Sequence, residues 1–203
     1  MIRPLYFHNP NQEGFEAIIK HLHSKNYKFI SIEELYSRLE KNDTKGKLAY
    51  ISFDDGWQGN LKLIPIIEKY NVHITIFIAV NPIMSGNFWW EFVAKKVGYT
   101  QMQNFKNLPH DEFESQLKKI KTEVADLQRS AMTIDELETI TKHPLISIQS
   151  HTINHPILTK LPDDLLDFEL SESQKQLEKI SISASVRMED LRFGQLCDLY
   201  NSF

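Results

Sequence analysis

Two adjacent carboxylates, Asp54 and Asp55, stand at the end of a short apolar run, Leu48 to Phe53, and are followed by Gly56 and Trp57. Side chains alternate along a strand, so both acids cannot keep one direction unless the backbone turns there. Gly56 permits such a turn. Adjacent acids placed in this way can divide the work, one ligating a metal ion and the other handling a proton. Taken alone, Asp-Asp-Gly is also an ordinary polar turn after a strand.

A second group, Ser150-His151-Thr152-Ile153-Asn154-His155-Pro156, follows another strand-like run, Pro144 to Gln149. Two histidines four apart converge on one ion if the segment makes a helical turn. Two imidazoles and one carboxylate form a three-ligand set that leaves a position for water or substrate, the pattern of catalytic zinc. The same set serves iron oxygenases, but their usual setting of many short strands is not the pattern here. Both groups fall at strand ends, where the sites of parallel α/β sheets gather.

The elements that must hold these residues can be read in order. Met1 to Asn11 is a strand or extended arm, and its His8 reads as a structural histidine within reach of the site. Phe15, Ile18, Ile19 and Leu22 recur at helical spacing, and Ser31 to Glu34 has the spacing of a capping box. After the acid pair, Leu61 to Tyr70 is a helix with Pro65 in its first turn or at a kink, and residues 72–80 form the segment richest in β-formers. Strand, helix, strand implies a right-handed parallel crossover. His73, at the start of that strand, is expected to be exposed.

A helix begins near Trp89 and Trp90; one of the two at most can offer a sugar-stacking face, core packing being the alternative. Pro109 to Gln128 reads as a charged helix with a narrow apolar stripe, and Thr133 to Glu136 as a second capping box. A last helix starts near Pro162 and runs to about Ile180. The alternation predicts an α/β fold with parallel strands.

The 203 residues are 41% hydrophobic and 25% charged, enough for one domain with a sizeable core. A net charge of −4 gives no support for a nucleic-acid partner. Cys197, the single cysteine, excludes an internal disulfide and reads as a packing residue. No signal peptide and no membrane span is visible, so a cytoplasmic location is the default expectation.

Ser52-Phe53-Asp54-Asp55-Gly56 and Ser150-His151-Thr152-x-x-His155 resemble the first and second motifs of the polysaccharide deacetylases of carbohydrate esterase family four. Phe15 to Leu35, Pro65 to Phe77 and His155-Pro156-x-Leu158-Thr159-x-Leu161 fit the family's flanks, so the resemblance covers about residues 5–180. It implies a distorted (β/α) barrel, incomplete at its C-terminus, with residues 181–203 an atypical tail. It also implies metal-dependent hydrolysis of N-acetyl or O-acetyl groups on a glycan, a hydrolase acting on a non-peptide carbon–nitrogen bond in the first case.

By motif position, Asp55, His151 and His155 would hold Zn²⁺ or another divalent ion such as Co²⁺ or Ni²⁺, and Asp54 would be the general base. Trp57 is a candidate groove wall, and Thr152 and Asn154 are candidates for orienting the ligands by hydrogen bonds. Relatives often work at the cell envelope. The family's third motif, an Arg with a Pro-Tyr pair, is not found: Arg187 and Arg192 have no Pro-Tyr after them, and no histidine lies beyond His155. This implies a shortened member with little or no activity, whose unpaired sheet edge invites self-association. The alternative is an inactive metal-binding fragment serving as a glycan-binding or interaction module.

Overall fold

The computed structural model describes residues 1–183, with side chains through residue 180. Five parallel strands form one sheet: β1 (Ile2–Phe7), β2 (Lys28–Phe29), β3 (Leu48–Phe53), β4 (Ile74–Ile78) and β5 (Ile146–Ser150). β3 is the centre. Its whole length pairs with β1, from Ile2 opposite Leu48 to Phe7 opposite Phe53. Its other edge is shared, β2 pairing near Leu48 and Ala49 and β4 pairing from Ile51 to Phe53. β5 then lies beside β4. The parallel α/β expectation holds; among the described residues the sheet is open rather than a closed barrel. Cys197, Arg187, Arg192 and nearly all of the expected tail lie outside the described residues.

Every residue of β3 and β4 is buried, which is why both read as continuous apolar runs: the sheet is covered on both faces. Ala49, Ile51, Phe53, Ile74, Ile76, Ile78, Ile146 and Ile148 share one core with side chains from α1 (Gln12–Ser24), α3 (Ile64–Tyr70), α4 (Val80–Ser85), α8 (Ile134–Ile140) and α9 (Asp163–Ser183). A separate small cluster packs on the opposite face, where Leu48, Tyr50 and Phe77 meet Ile30 and Ile32 at the start of α2 (Ile32–Glu40). Between β4 and β5 the chain makes a helical excursion, α5 (Trp89–Val97), α6 (Tyr99–Phe105) and α7 (His110–Glu123). It has its own core of Trp89, Val93, Met102, Phe105, Phe113, Leu117 and Ile120.

Local signals set most of these boundaries. Thr133 makes the full reciprocal box with Glu136, while Ser31 only accepts from the Glu34 amide, the Glu34 carboxylate going to Lys28 and Arg38 instead. Pro65 sits in the first turn of α3, behind a 3₁₀ turn over Gln58–Leu63. Two expectations fail. The charged helix stops at Glu123, not Gln128, because the segment leading into α8 is held by tertiary bonds. Asn87 Nδ2 donates to the Gln128 carbonyl, the Arg129 guanidinium donates to the carbonyls of Ile83 and Met132, and Ser130 Oγ donates to Glu91. His73 is half-buried rather than exposed, held between buried Val72 and β4. No helix of the described residues is long and apolar enough to cross a membrane.

Candidate functional site

The acid pair sits where β3 ends, and the backbone separates the two side chains. Asp54 still belongs to the ladder, its N–H donating to Phe7 O at 2.8 Å. Asp55 (φ 75°) and Gly56 (φ 90°) then turn through the left-handed region. Gly56 has no substitute there, since a Cβ would lie 2.9 Å from Ile78 Cδ1 and 3.2 Å from Ile83 Cδ1. The turn is anchored by Ala79 N–H to Asp55 O and Met132 N–H to Gly56 O, at 3.2 and 3.0 Å.

The histidine segment does not form the helical turn that its spacing suggested. It is a loop with two left-handed non-glycine residues, Thr152 (φ 70°) and His155 (φ 55°). Its backbone is bound throughout: His151 N–H to Ile78 O, Val80 N–H to Thr152 O, Asn81 N–H to Ile153 O, and the Trp89 indole to His155 O. Left-handed non-glycine residues cost of order 1–3 kcal/mol each, so the pair costs about 2–6 kcal/mol. The buried carboxylate of Glu169 on α9 offsets this by accepting from Ile153 N, Asn154 N and Asn154 Nδ2. Hydrogen bonds to a charged group contribute about 1.5–3 kcal/mol each, which brings the two sums into balance.

The structure brings Asp55, His151 and His155 together, with one ligand-type atom of each within 4.8 Å of the others. His155 Nε2 lies 3.1 Å and His151 Nε2 3.6 Å from Asp55 Oδ1. Neither approach has hydrogen-bond geometry, and Oδ1 is buried without a hydrogen-bond partner among the described residues. Two ligands about 2.0–2.1 Å from a tetrahedral ion lie roughly 3.4 Å apart, so these spacings suit zinc or a similar ion. The donor set therefore fits a divalent metal.

Charge states agree with that fit. Burial pushes the Asp55 carboxyl up, but His155, His151 and the Trp57 indole outweigh it and hold it below the usual carboxylate range. His151 is pushed down to about 4, first by the loss of solvation around its ring and then by the charge of His155. It is thus the neutral imidazole that a metal requires. Asp54 is raised to about 6, mainly by burial and further by Asp55, with His8 and His155 opposing.

Other expected residues have more specific places. Trp57 is half-buried and its Nε1 donates to Asp55 Oδ2 at 2.9 Å, so its indole holds the carboxylate of Asp55 in place. Thr152 Oγ1 accepts from the His155 amide at 3.0 Å, and Asn154 bonds Glu169 and Asn81; neither touches an imidazole nitrogen. Of the two tryptophans of α5, Trp89 is buried in the excursion's core, while Trp90 is half-exposed with its ring 4.9 Å from that of His155. His8 is exposed and follows Phe7, whose carbonyl accepts from the Asp54 amide, so the end of β1 brings it beside the acid pair. Asn60 fixes its backbone by donating to His8 O at 2.8 Å.

A polysaccharide deacetylase family model matches residues 41–196, which include both motifs. The chain belongs to the polysaccharide deacetylase family. It is 24% identical over 173 residues to YxkH of Bacillus subtilis (strain 168), a protein provisionally named a polysaccharide deacetylase, with 84% of this chain and 46% of that protein covered. The chain thus spans about half the length of this curated relative. Among solved structures, the Streptococcus pyogenes deacetylase PplD in complex with acetate aligns with a TM-score of 0.59 at 19% identity, covering 89% of this chain and 68% of that one. BC0361, a polysaccharide deacetylase from Bacillus cereus, aligns with a TM-score of 0.57 at 19% identity, covering 89% and 47%. At such identities the alignments establish a shared α/β fold.

One consequence of the Trp57 contact is measurable. Trp57→Phe keeps an aromatic side chain but removes the donor to Asp55, and loss of such a partner typically costs about 10–100-fold in metal affinity. Zinc titration of the chelator-treated variant checks this; an unchanged affinity would show that the indole bond does not hold the ligand.

Proposed function

We propose that this chain is the catalytic region of a metal-dependent hydrolase that removes acetyl groups from a glycan. One observation carries the reading: three ligand atoms converge at the ends of β3 and β5 while a second, buried carboxylate, Asp54, stands beside them. Zn²⁺, Co²⁺ or Ni²⁺ suits the Asp55-His151-His155 set and, when bound, supplies Lewis acidity toward an acetyl carbonyl and acidifies water.

The chain's own residues do the rest. Asp54 Oδ1 is buried and has no hydrogen-bond partner among the described residues, so it is an acceptor open to a donor. It takes the proton of the attacking water, and a base whose pKa lies nearer the working pH transfers protons more effectively. His8, exposed and next in the chain to Phe7, whose carbonyl accepts from the Asp54 amide, donates a proton to the departing nitrogen or oxygen. Trp90 and Trp57 offer partly exposed rings against which a sugar face can stack.

Acetate, which PplD holds, is the product this reading requires. Metal-loaded protein should release acetate from one or more members of a panel of N- and O-acetylated glycans, and His8→Gln should slow release by about 100-fold, the lower end for proton-transfer assistance, since water can reach that position. Full metal binding with no acetate release from any panel member would sink the catalytic reading and leave a binding module. An unimpaired His8 variant would remove His8 from the mechanism.

A further inference from the structure

α9 presents a stripe of three buried residues one turn apart, Glu169, Ser173 and Leu177. Only Leu177 is what a core-facing stripe calls for. Ser173 hydrogen-bonds the hydroxyl of Ser150, the last residue of β5. Glu169 reaches past the strand end into the histidine loop, where both its oxygens are used. Oε2 accepts from Ile153 N at 2.8 Å and Asn154 N at 2.9 Å, and Oε1 accepts from the Asn154 side-chain amide. The Asn154 Oδ1 in turn accepts from Asn81 Nδ2 on α4. No ion pair involving Glu169 occurs among the described residues, so three N–H donors are the visible stabilisation of its buried charge. Burying a carboxylate is costly unless its acceptors are in use, and here both are.

We propose that Glu169 is the positioning residue of the metal centre: it holds the loop between His151 and His155 in its left-handed form before any ion arrives. This rests on reading Asp55, His151 and His155 as metal ligands. The two backbone amides it binds belong to the residues between the ligands, so the span of the two imidazoles is set by a side chain that touches neither. Without it, Thr152 and His155 relax toward ordinary backbone angles and the histidines separate. The ion must then pay for ordering the loop, and its affinity falls.

Glu169→Gln is a discriminating substitution. Glutamine has one acceptor oxygen. If that oxygen keeps the two backbone amides, its NH₂ faces the Asn154 NH₂, donor against donor. Relief requires Asn154 to turn its amide, which places the same clash on Asn81. Zinc titration of the chelator-treated full chain should show affinity reduced about 10–100-fold, while the control Ser173→Ala, which alters the same helix one turn away, stays near wild type. Equal losses in both variants, or none in Glu169→Gln, overturn the proposal. In wild-type protein without metal, the Ile153 and Asn154 amides should already exchange slowly; fast exchange overturns it without recourse to any variant. A wild-type chain that binds no zinc, yet keeps these two amides protected, would instead remove the ligand assignment beneath it.

Discussion

His151→Ala should reduce zinc affinity by well over 100-fold, more than the roughly 10–100-fold expected on loss of a supporting partner. A three-residue ligand set has no spare member, and among the described residues Asp55, His151 and His155 are the only group of metal-ligating side chains that converge. Removing one imidazole leaves Asp55 Oδ1 with one close nitrogen, His155 Nε2 at 3.1 Å. The fold should survive, because the His151 side chain is about a third exposed and the strand hydrogen bond to Ile78 O is made by its backbone. Isothermal titration of chelator-treated protein with zinc measures the effect. If wild type and variant bind equally, the ion sits elsewhere and the ligand assignment is wrong.

Asp54→Asn should separate the two acids. Hydrolysis should fall by about 10²–10⁴-fold, the usual weight of general-base assistance, with zinc affinity close to wild type. The side chains diverge at the turn, and Asp54 is not one of the converging ligands. Asparagine matches the shape of the acid, so the packing around this buried position is retained, while the proton acceptor is gone. Asp55→Asn, by contrast, should lower both metal binding and turnover. Acetate release and zinc titration on the same preparations decide between the roles. An Asp54 variant that loses its metal as badly as the Asp55 variant would show that both acids are ligands.

Features governed by neighbours in the chain could be read from the sequence. The buried strands Leu48–Phe53 and Ile146–Ser150, the cap at Thr133 and the proline at the start of α3 are all set within a few residues. The two motifs could be read because ligand identity is written in residue type. Three features of the site could not, since their causes lie far away in sequence. The histidine loop departs from a helical turn because α4, Trp89 and Glu169 hold its backbone. His8 stands next to the acid pair because β1 runs the full length of β3 and its Phe7 carbonyl accepts from the Asp54 amide. Trp57 reads as a wall, but its indole nitrogen is turned back onto Asp55. Glu169 did leave a trace: an acid four residues before Ser173 and eight before Leu177, on the stripe where a helix buries its apolar face.

The chain has three tryptophans, and each touches a residue of the candidate metal site. Trp57 bonds the Asp55 carboxylate, Trp89 bonds the His155 carbonyl, and Trp90 lies against the His155 imidazole. Indole emission responds to the polarity, hydrogen bonding and quenching groups around the ring. The tryptophan fluorescence of this chain, excited where tyrosine absorbs little, therefore carries no background from remote indoles. It is an unlabelled optical gauge of the centre, able to follow an ion or a sugar arriving in real time.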